Sequence, residues 1–144
     1  LSCDIRLCAA QAKLAVSHTR RGVFPDMGGT WLLPRTLGWS KAAQLIFTGR
    51  TIGAVEGERL GLIDRVIEGA SLMAGATELA EEIASCAPLA VQAAKRLMRA
   101  GCEESFADHV QRSYLQVRLL TETRDFSEGV SAFLEKRPPD FLGE

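Results

Sequence analysis

Polar and apolar residues alternate at the start of the chain. In Leu1–Ala10, Asp4 and Arg6 interleave with Cys3, Ile5 and Leu7, a period of two that predicts a half-buried strand. Ala12–Val16 reads as a second short extended piece. Residues 17–30, SHTRRGVFPDMGGT, are rich in Gly, Pro, Asp and Thr and show no period, which predicts a loop. Thr30–Leu37 is a short helical segment broken by Pro34. Ser40–Thr48 is a compact helix with Ser40 as its cap, Ala43, Ile46 and Phe47 as its apolar side, and Gly49 as its stop. Ala54–Leu60 forms another helix ended by Gly61, and Leu62–Ile67 a short strand or extended link.

Beyond residue 70 the period is helical throughout. Leu72, Ala76, Leu79, Ala80 and Ile83 form one stripe. Pro88 suits a helix first turn and opens a second stripe, Ala90, Ala93, Ala94, Leu97 and Met98, ending near Gly101. Phe106, Val110, Tyr114 and Val117 form a third, and Phe126, Val130, Phe133 and Leu134 a fourth. The last helix starts on a capping-box-like pair, Asp125 and Glu128. It ends on Lys136 and Arg137, which suit the negative end of the helix dipole, and Pro138-Pro139 stops it. The pattern divides the chain into an α/β portion, residues 1–67, and a helical portion, residues 68–144. Four amphipathic helices cannot bury every stripe on a body of this size, so their apolar faces predict packing on the body, on each other or on another subunit.

Composition changes this picture little. The 144 residues are 47% hydrophobic and 24% charged, an ordinary globular balance. A net charge of −1 leaves no electrostatic footprint for nucleic acid or an anionic membrane, and no apolar run approaches the ~20 residues of a membrane span. Four irregularly spaced cysteines read as reduced thiols, which predicts a cytoplasmic protein. The chain has no initiator Met and opens directly in strand-like sequence, which suggests a fragment.

Candidate chemistry concentrates in one loop. His18 and His109 have no Cys or carboxylate at metal-ligand spacing, so no metal site is expected, and no nucleophile elbow, phosphate loop or dinucleotide fingerprint occurs. What remains is Gly22–Thr30. Gly28 and Gly29 leave the backbone open to close approach by a ligand, a helix N-terminus follows, and Asp26 stands just before it among Val23, Phe24, Met27 and Trp31. A carboxylate in such apolar surroundings can shuttle protons. The competing reading makes Asp26 an N-cap. For His18 a solvated loop position beside Arg20 and Arg21 competes with a catalytic one.

Several blocks together, RGVFPDMGGTWLLPRTLG, AAQLIFTGRTIGAVEGERLGLIDRVI and FSEGVSAFLEKRPPDF, resemble the C-terminal portion of the enoyl-CoA hydratase/isomerase (crotonase) superfamily. The resemblance implies an α/β fold: part of a spiral of ββα units followed by a helical oligomerisation region that forms trimers or hexamers. It implies an acyl-CoA thioester substrate, with coenzyme A entering only as part of that substrate and no metal or redox cofactor. Two backbone N–H groups would hold the thioester oxygen as an enolate forms, at ~3–4 kcal/mol apiece. The family pattern puts both donor segments and a first glutamate ahead of Leu1. It puts a hydratase's second glutamate at the position of His18. At Asp26 many hydratases have glycine, whereas the P-D-x-G-G-T variant resembles double-bond isomerases, including ring-epoxide phenylacetyl-CoA isomerase-like proteins, and some hydrolases. The resemblance therefore implies Asp26, with His18, as catalytic candidates, and Phe24, Gly28, Gly29, Trp31, Phe133 and Lys136 as substrate-binding candidates. Double-bond isomerisation is favoured; the alternatives are enoyl-CoA hydration, or a non-catalytic oligomerisation or binding module.

Overall fold

A computed structural model describes all 144 residues, Leu1–Glu144. The chain forms two compact units, Leu1–Thr77 and Glu78–Glu144. The division falls inside a helix, later than the change of texture at residue 67. The reason is Gly75: a Cβ there would lie 2.7 Å from Ile67 Cδ1, so the first turns of that helix pack closely on the end of the preceding strand.

In the first unit, β1 (Leu7–Ala9) pairs in parallel with β4 (Arg65–Ile67), placing Cys8 opposite Val66, and β2 (Lys13–Ala15) pairs antiparallel with β3 (Thr51–Gly53), placing Leu14 opposite Ile52. β1 is much shorter than the alternation of residues 1–10 suggests. A strand needs a partner, and β4 offers ladder positions only from Arg65 onward. Arg6 starts the pairing: its N–H and guanidinium donate to the Asp64 carboxylate at 2.7 and 3.1 Å, and its Nε donates to the Leu62 carbonyl at 2.7 Å.

Three helices cover these ribbons: α1 (Gly29–Leu37), α2 (Trp39–Thr48) and α3 (Ala54–Leu60). α1 continues through Pro34 rather than breaking there. The missing proline N–H would have bonded the carbonyl of Thr30, an exposed residue whose oxygen solvent can reach. Gly38, not Ser40, caps α2, and the buried stripe of α2 is Ala42, Leu45 and Ile46 while Phe47 is exposed. These residues join Leu33, Leu37, Ile52 and Leu62 in the main core, with Leu14, Val16 and Leu60 packed against it. α3 comes close because it presents Gly57: a Cβ there would lie 2.8 Å from Leu14 Cδ1.

α4 (Leu72–Ala84) crosses from the first unit into the second, which also holds α5 (Pro88–Gly101), α6 (Phe106–Thr121) and α7 (Arg124–Glu135). At the α5–α6 corner Glu104 accepts from His109 Nδ1 at 2.8 Å and from Arg112 Nε at 3.0 Å. These bonds, His109 first, hold the Glu104 carboxyl below its ordinary range. The start of α7 differs from the capping-box expectation. Thr123 is the N-cap and accepts from the Phe126 N–H. Asp125 is buried instead, and its two oxygens accept the N–H groups of Leu142 and Gly143 at 2.8 and 2.9 Å, tying down the C-terminal tail. Glu128 takes a bidentate pair of bonds from Arg137 at 2.6 and 2.8 Å and a third from the Asp140 N–H, which pull its pKa down to about 2.

Acid sensitivity follows with a definite sign. Carboxyl groups depressed in the folded chain bind more protons when unfolded. Their contribution is therefore complete above the unfolded value of roughly 4.3 and is lost as pH falls through the folded one. Stability should drop between pH ~5 and pH 2, the interval set by Glu128. Urea midpoints measured across that interval should fall for the wild type and change less for Glu128→Gln; parallel curves would show that the Arg137 pair contributes nothing.

Candidate active site

The segment that carries most of the candidate residues is a loop leading into α1. It begins at a turn held against the end of α2: Thr19 Oγ1 donates to the Ile46 carbonyl at 2.6 Å and Arg20 Nε to the Thr48 carbonyl at 2.8 Å. Gly49 makes the approach possible, since a Cβ there would lie 2.8 Å from Arg20 Cγ. His18 opens the turn, its carbonyl accepting the N–H groups of Arg21 and Val23. Its ring is on an exposed residue and has no carboxylate or carbonyl partner to fix a tautomer, so the structure supplies no orienting group of the kind a catalytic imidazole uses.

The loop then closes on itself at Pro25. Gly28 adopts a left-handed conformation at φ 80°, which disfavours any side chain. Gly29 is required for a different reason: a Cβ there would lie 2.6 Å from Cβ of the buried Pro25. The two glycines are thus explained by the turn itself. The Gly28 N–H donates to the Asp26 carbonyl, the Thr30 N–H to the Pro25 carbonyl at 3.4 Å, and the Trp31 N–H to the Gly28 carbonyl at 3.1 Å. With these groups engaged inside the loop, the start of α1 is a poorer anion cradle than its glycines suggest.

Asp26 is not the N-cap of α1; Gly28 is, and no side chain caps the helix. The Asp26 carboxylate is exposed and accepts a single bond, from the N–H of Met27 at 2.9 Å. Around it on the same loop and helix are exposed apolar side chains: Val23 at 57%, Phe24 at 64%, Met27 at 95% and Trp31 at 48%. A carboxylate with one local bond and no capping role, among exposed apolar side chains, can accept and return a proton from a bound carbon acid.

The other two candidates belong to the second unit. Phe133, on α7, is 83% exposed, and Lys136 is the residue at which α7 ends, in a left-handed conformation at φ 54°. Arg137 is held by Glu128 and Glu135, whereas the Lys136 ammonium has no carboxylate partner and remains available to an anion. Phe133 also borders an apolar cavity of about 480 Å3 within this unit, with Leu89, Leu120, Phe126, Val130 and Phe141 among its walls. No three His, Cys, Asp or Glu side chains converge as a metal-binding group, all four cysteines are free thiols, and no helix is long and apolar enough to cross a membrane.

One contact was missed by sequence reading. The Arg35 guanidinium stacks 3.8 Å from the centroid of the Trp31 ring, and its Nη1 donates to the Trp31 carbonyl at 3.2 Å. The signal was present as an aromatic and an arginine four residues apart on a helix.

Comparison with known proteins identifies a family and a fold. The family model for enoyl-CoA hydratase/isomerase matches residues 1–144. The human enoyl-CoA hydratase domain-containing protein 2, mitochondrial, is 38% identical over 148 residues, covering 100% of this chain and 51% of that protein. The enoyl-CoA isomerase/hydratase fer4 of Mycosarcoma maydis is 34% identical, covering 100% of the chain and 53% of its own length. The crystal structure of an enoyl-CoA hydratase from Bacillus anthracis superposes with a TM-score of 0.95 at 38% identity, covering 99% of this chain and 55% of that one. The chain spans about half the length of the curated relatives it matches.

The two glycines of the loop are separable by substitution. Gly28→Ala should cost about 1–2 kcal/mol for the left-handed backbone, and Gly29→Ala roughly 1–3 kcal/mol because the rigid Pro25 ring cannot yield. Urea denaturation of both variants reads these costs. A Gly29→Ala variant as stable as wild type would mean that Pro25 and Gly29 do not meet.

Proposed function

The chain belongs to the enoyl-CoA hydratase/isomerase family, and from that premise we propose that it forms part of an acyl-CoA enzyme that moves a double bond along a thioester's acyl chain. The observation that carries this reading is Asp26: an exposed carboxylate, free of any capping duty, on a loop with Phe24, Met27 and Trp31. In the proposed reaction Asp26 takes a proton from one acyl carbon, and the released electron pair delocalises onto the thioester oxygen as an enolate. The same carboxyl, whose exposed proton exchanges with solvent, delivers a proton to another carbon. The carboxylate is regenerated and the product is an isomer of the substrate, so one acid/base group suffices. In this reading two backbone N–H donors steady the enolate oxygen. Coenzyme A enters as part of the substrate, with no separate cofactor, and Lys136 is a separate candidate anion contact on the second unit.

Hydration is the second reading, favoured by the names of several relatives. A hydratase directs water with paired carboxylates, and this chain offers His18 where the family pattern would put one of them. We also propose association with further copies as a trimer or hexamer. Apolar side chains left exposed within the helical unit, among them Phe106, Tyr114 and Leu115, support that reading. A reducing, cytoplasmic setting suits the free thiols.

The complete gene product, given an enoyl-CoA in deuterated water, should incorporate deuterium at the α or γ carbon and shift the double bond without adding water. Asp26→Asn should lower that exchange at least ~100-fold, the usual scale of a lost general base. A hydroxyacyl-CoA product would establish hydration instead, and full exchange in the variant would remove Asp26 from the mechanism.

A further inference from the structure

Trp31 is a half-exposed indole on the loop-to-helix corner that carries Asp26, and it is not packed into the main core. An exposed ring of this kind has two free torsions and no fixed face. Here one arginine removes that freedom twice over. Arg35, one turn further along α1, places its guanidinium carbon Cζ over the ring, 3.8 Å from the centroid, and anchors itself by donating from Nη1 to the Trp31 carbonyl at 3.2 Å. Arg35 makes no ion pair with any carboxylate, so the ring and that carbonyl are its partners in the fold. Helix stability alone does not require this geometry: a lysine would place the same positive charge on the last turn of α1, but it lacks the flat, forked group that can stack and donate together.

We propose that Arg35 is a positioning residue for Trp31. It holds the indole as a fixed apolar wall at the Asp26 corner, against which an acyl chain lies while the carboxylate works on it. The inference rests on the reading of Asp26 as the acid/base group. Its energetic scale is modest, because an exposed cation over a ring changes an equilibrium by about two- to five-fold. The effect belongs in substrate binding rather than in the chemical step, since Arg35 acts on Trp31 and not on the reacting carbons.

The test uses the second tryptophan as a control. Trp39 is 76% exposed, so in the 144-residue chain Trp39→Phe leaves Trp31 as the sole indole. In that background Arg35→Met and Arg35→Lys should both raise acrylamide quenching and lower the anisotropy of Trp31 fluorescence, although lysine keeps the helix-end charge. In the complete gene product Arg35→Met should raise KM for the acyl-CoA about two- to five-fold with kcat nearly unchanged, and this effect should vanish when Trp31→Ala is already present. Wild-type quenching and KM in Arg35→Met, additivity with Trp31→Ala, or full rescue by lysine would each overturn the proposal. The fluorescence arm needs no turnover, so it separates this inference from the role of Asp26: retained exchange in Asp26→Asn would sink the acid/base reading and leave the Trp31 signal intact.

Discussion

A steric fit between the Pro25 ring and the backbone at Gly29 shapes the candidate corner of this protein. Pro25 is buried, and the chain returns over it so closely that only glycine can stand at position 29, while the left-handed turn at position 28 makes the return possible. Everything that follows in α1 takes its direction from that closure. Because the N–H groups of Gly28, Thr30 and Trp31 are taken by carbonyls of the turn, no side chain caps the helix that follows. Asp26, which a purely local reading makes a cap, is left as an exposed carboxylate with one bond to its neighbour. The same closure starts the helix that brings Trp31 under Arg35.

The helices were the most legible part of the chain. α3 and α5 have the bounds expected from the sequence, because Gly61, Pro88 and Gly101 act locally and their effect can be read without knowing the neighbours. Features that depend on distant residues were harder. The length of β1 is set by where β4 begins, more than fifty residues away. The exposure of Phe47 depends on which face of α2 meets Ile52 and Leu62. Asp125 has the spacing of a capping residue, but the returning tail claims its carboxylate and Thr123 takes the cap. At the site, the importance of Asp26 came from the resemblance of its surrounding motif to a family, while its freedom from the cap could be known only from coordinates. The Arg35–Trp31 stack was readable from a spacing of four and was overlooked.

The two units spend their charged groups differently. In the second, Glu104, Asp125 and Glu128 are all engaged in holding a corner or the tail and Arg137 is doubly paired, while Lys136, like Arg96 and Arg118, is a cation without such work. In the first, Arg6, Arg20 and Arg50 tie strands, turns and helices together, whereas Asp26 and Arg35 do not. Meanwhile α4 and α6 bury no residue completely and leave Phe106, Tyr114 and Leu115 open. The proposals for function and for association use one criterion: side chains that the fold does not engage are the ones available to a substrate or to another chain.

A crystal structure of the complete gene product with an unreactive acyl-CoA analogue is the most direct test of the Asp26 assignment. The account predicts a carboxylate oxygen of Asp26 within about 3.5 Å of the acyl carbon that would lose its proton, the separation expected for a reacting pair. An analogue bound with its acyl chain elsewhere, and Asp26 turned to solvent, would contradict it.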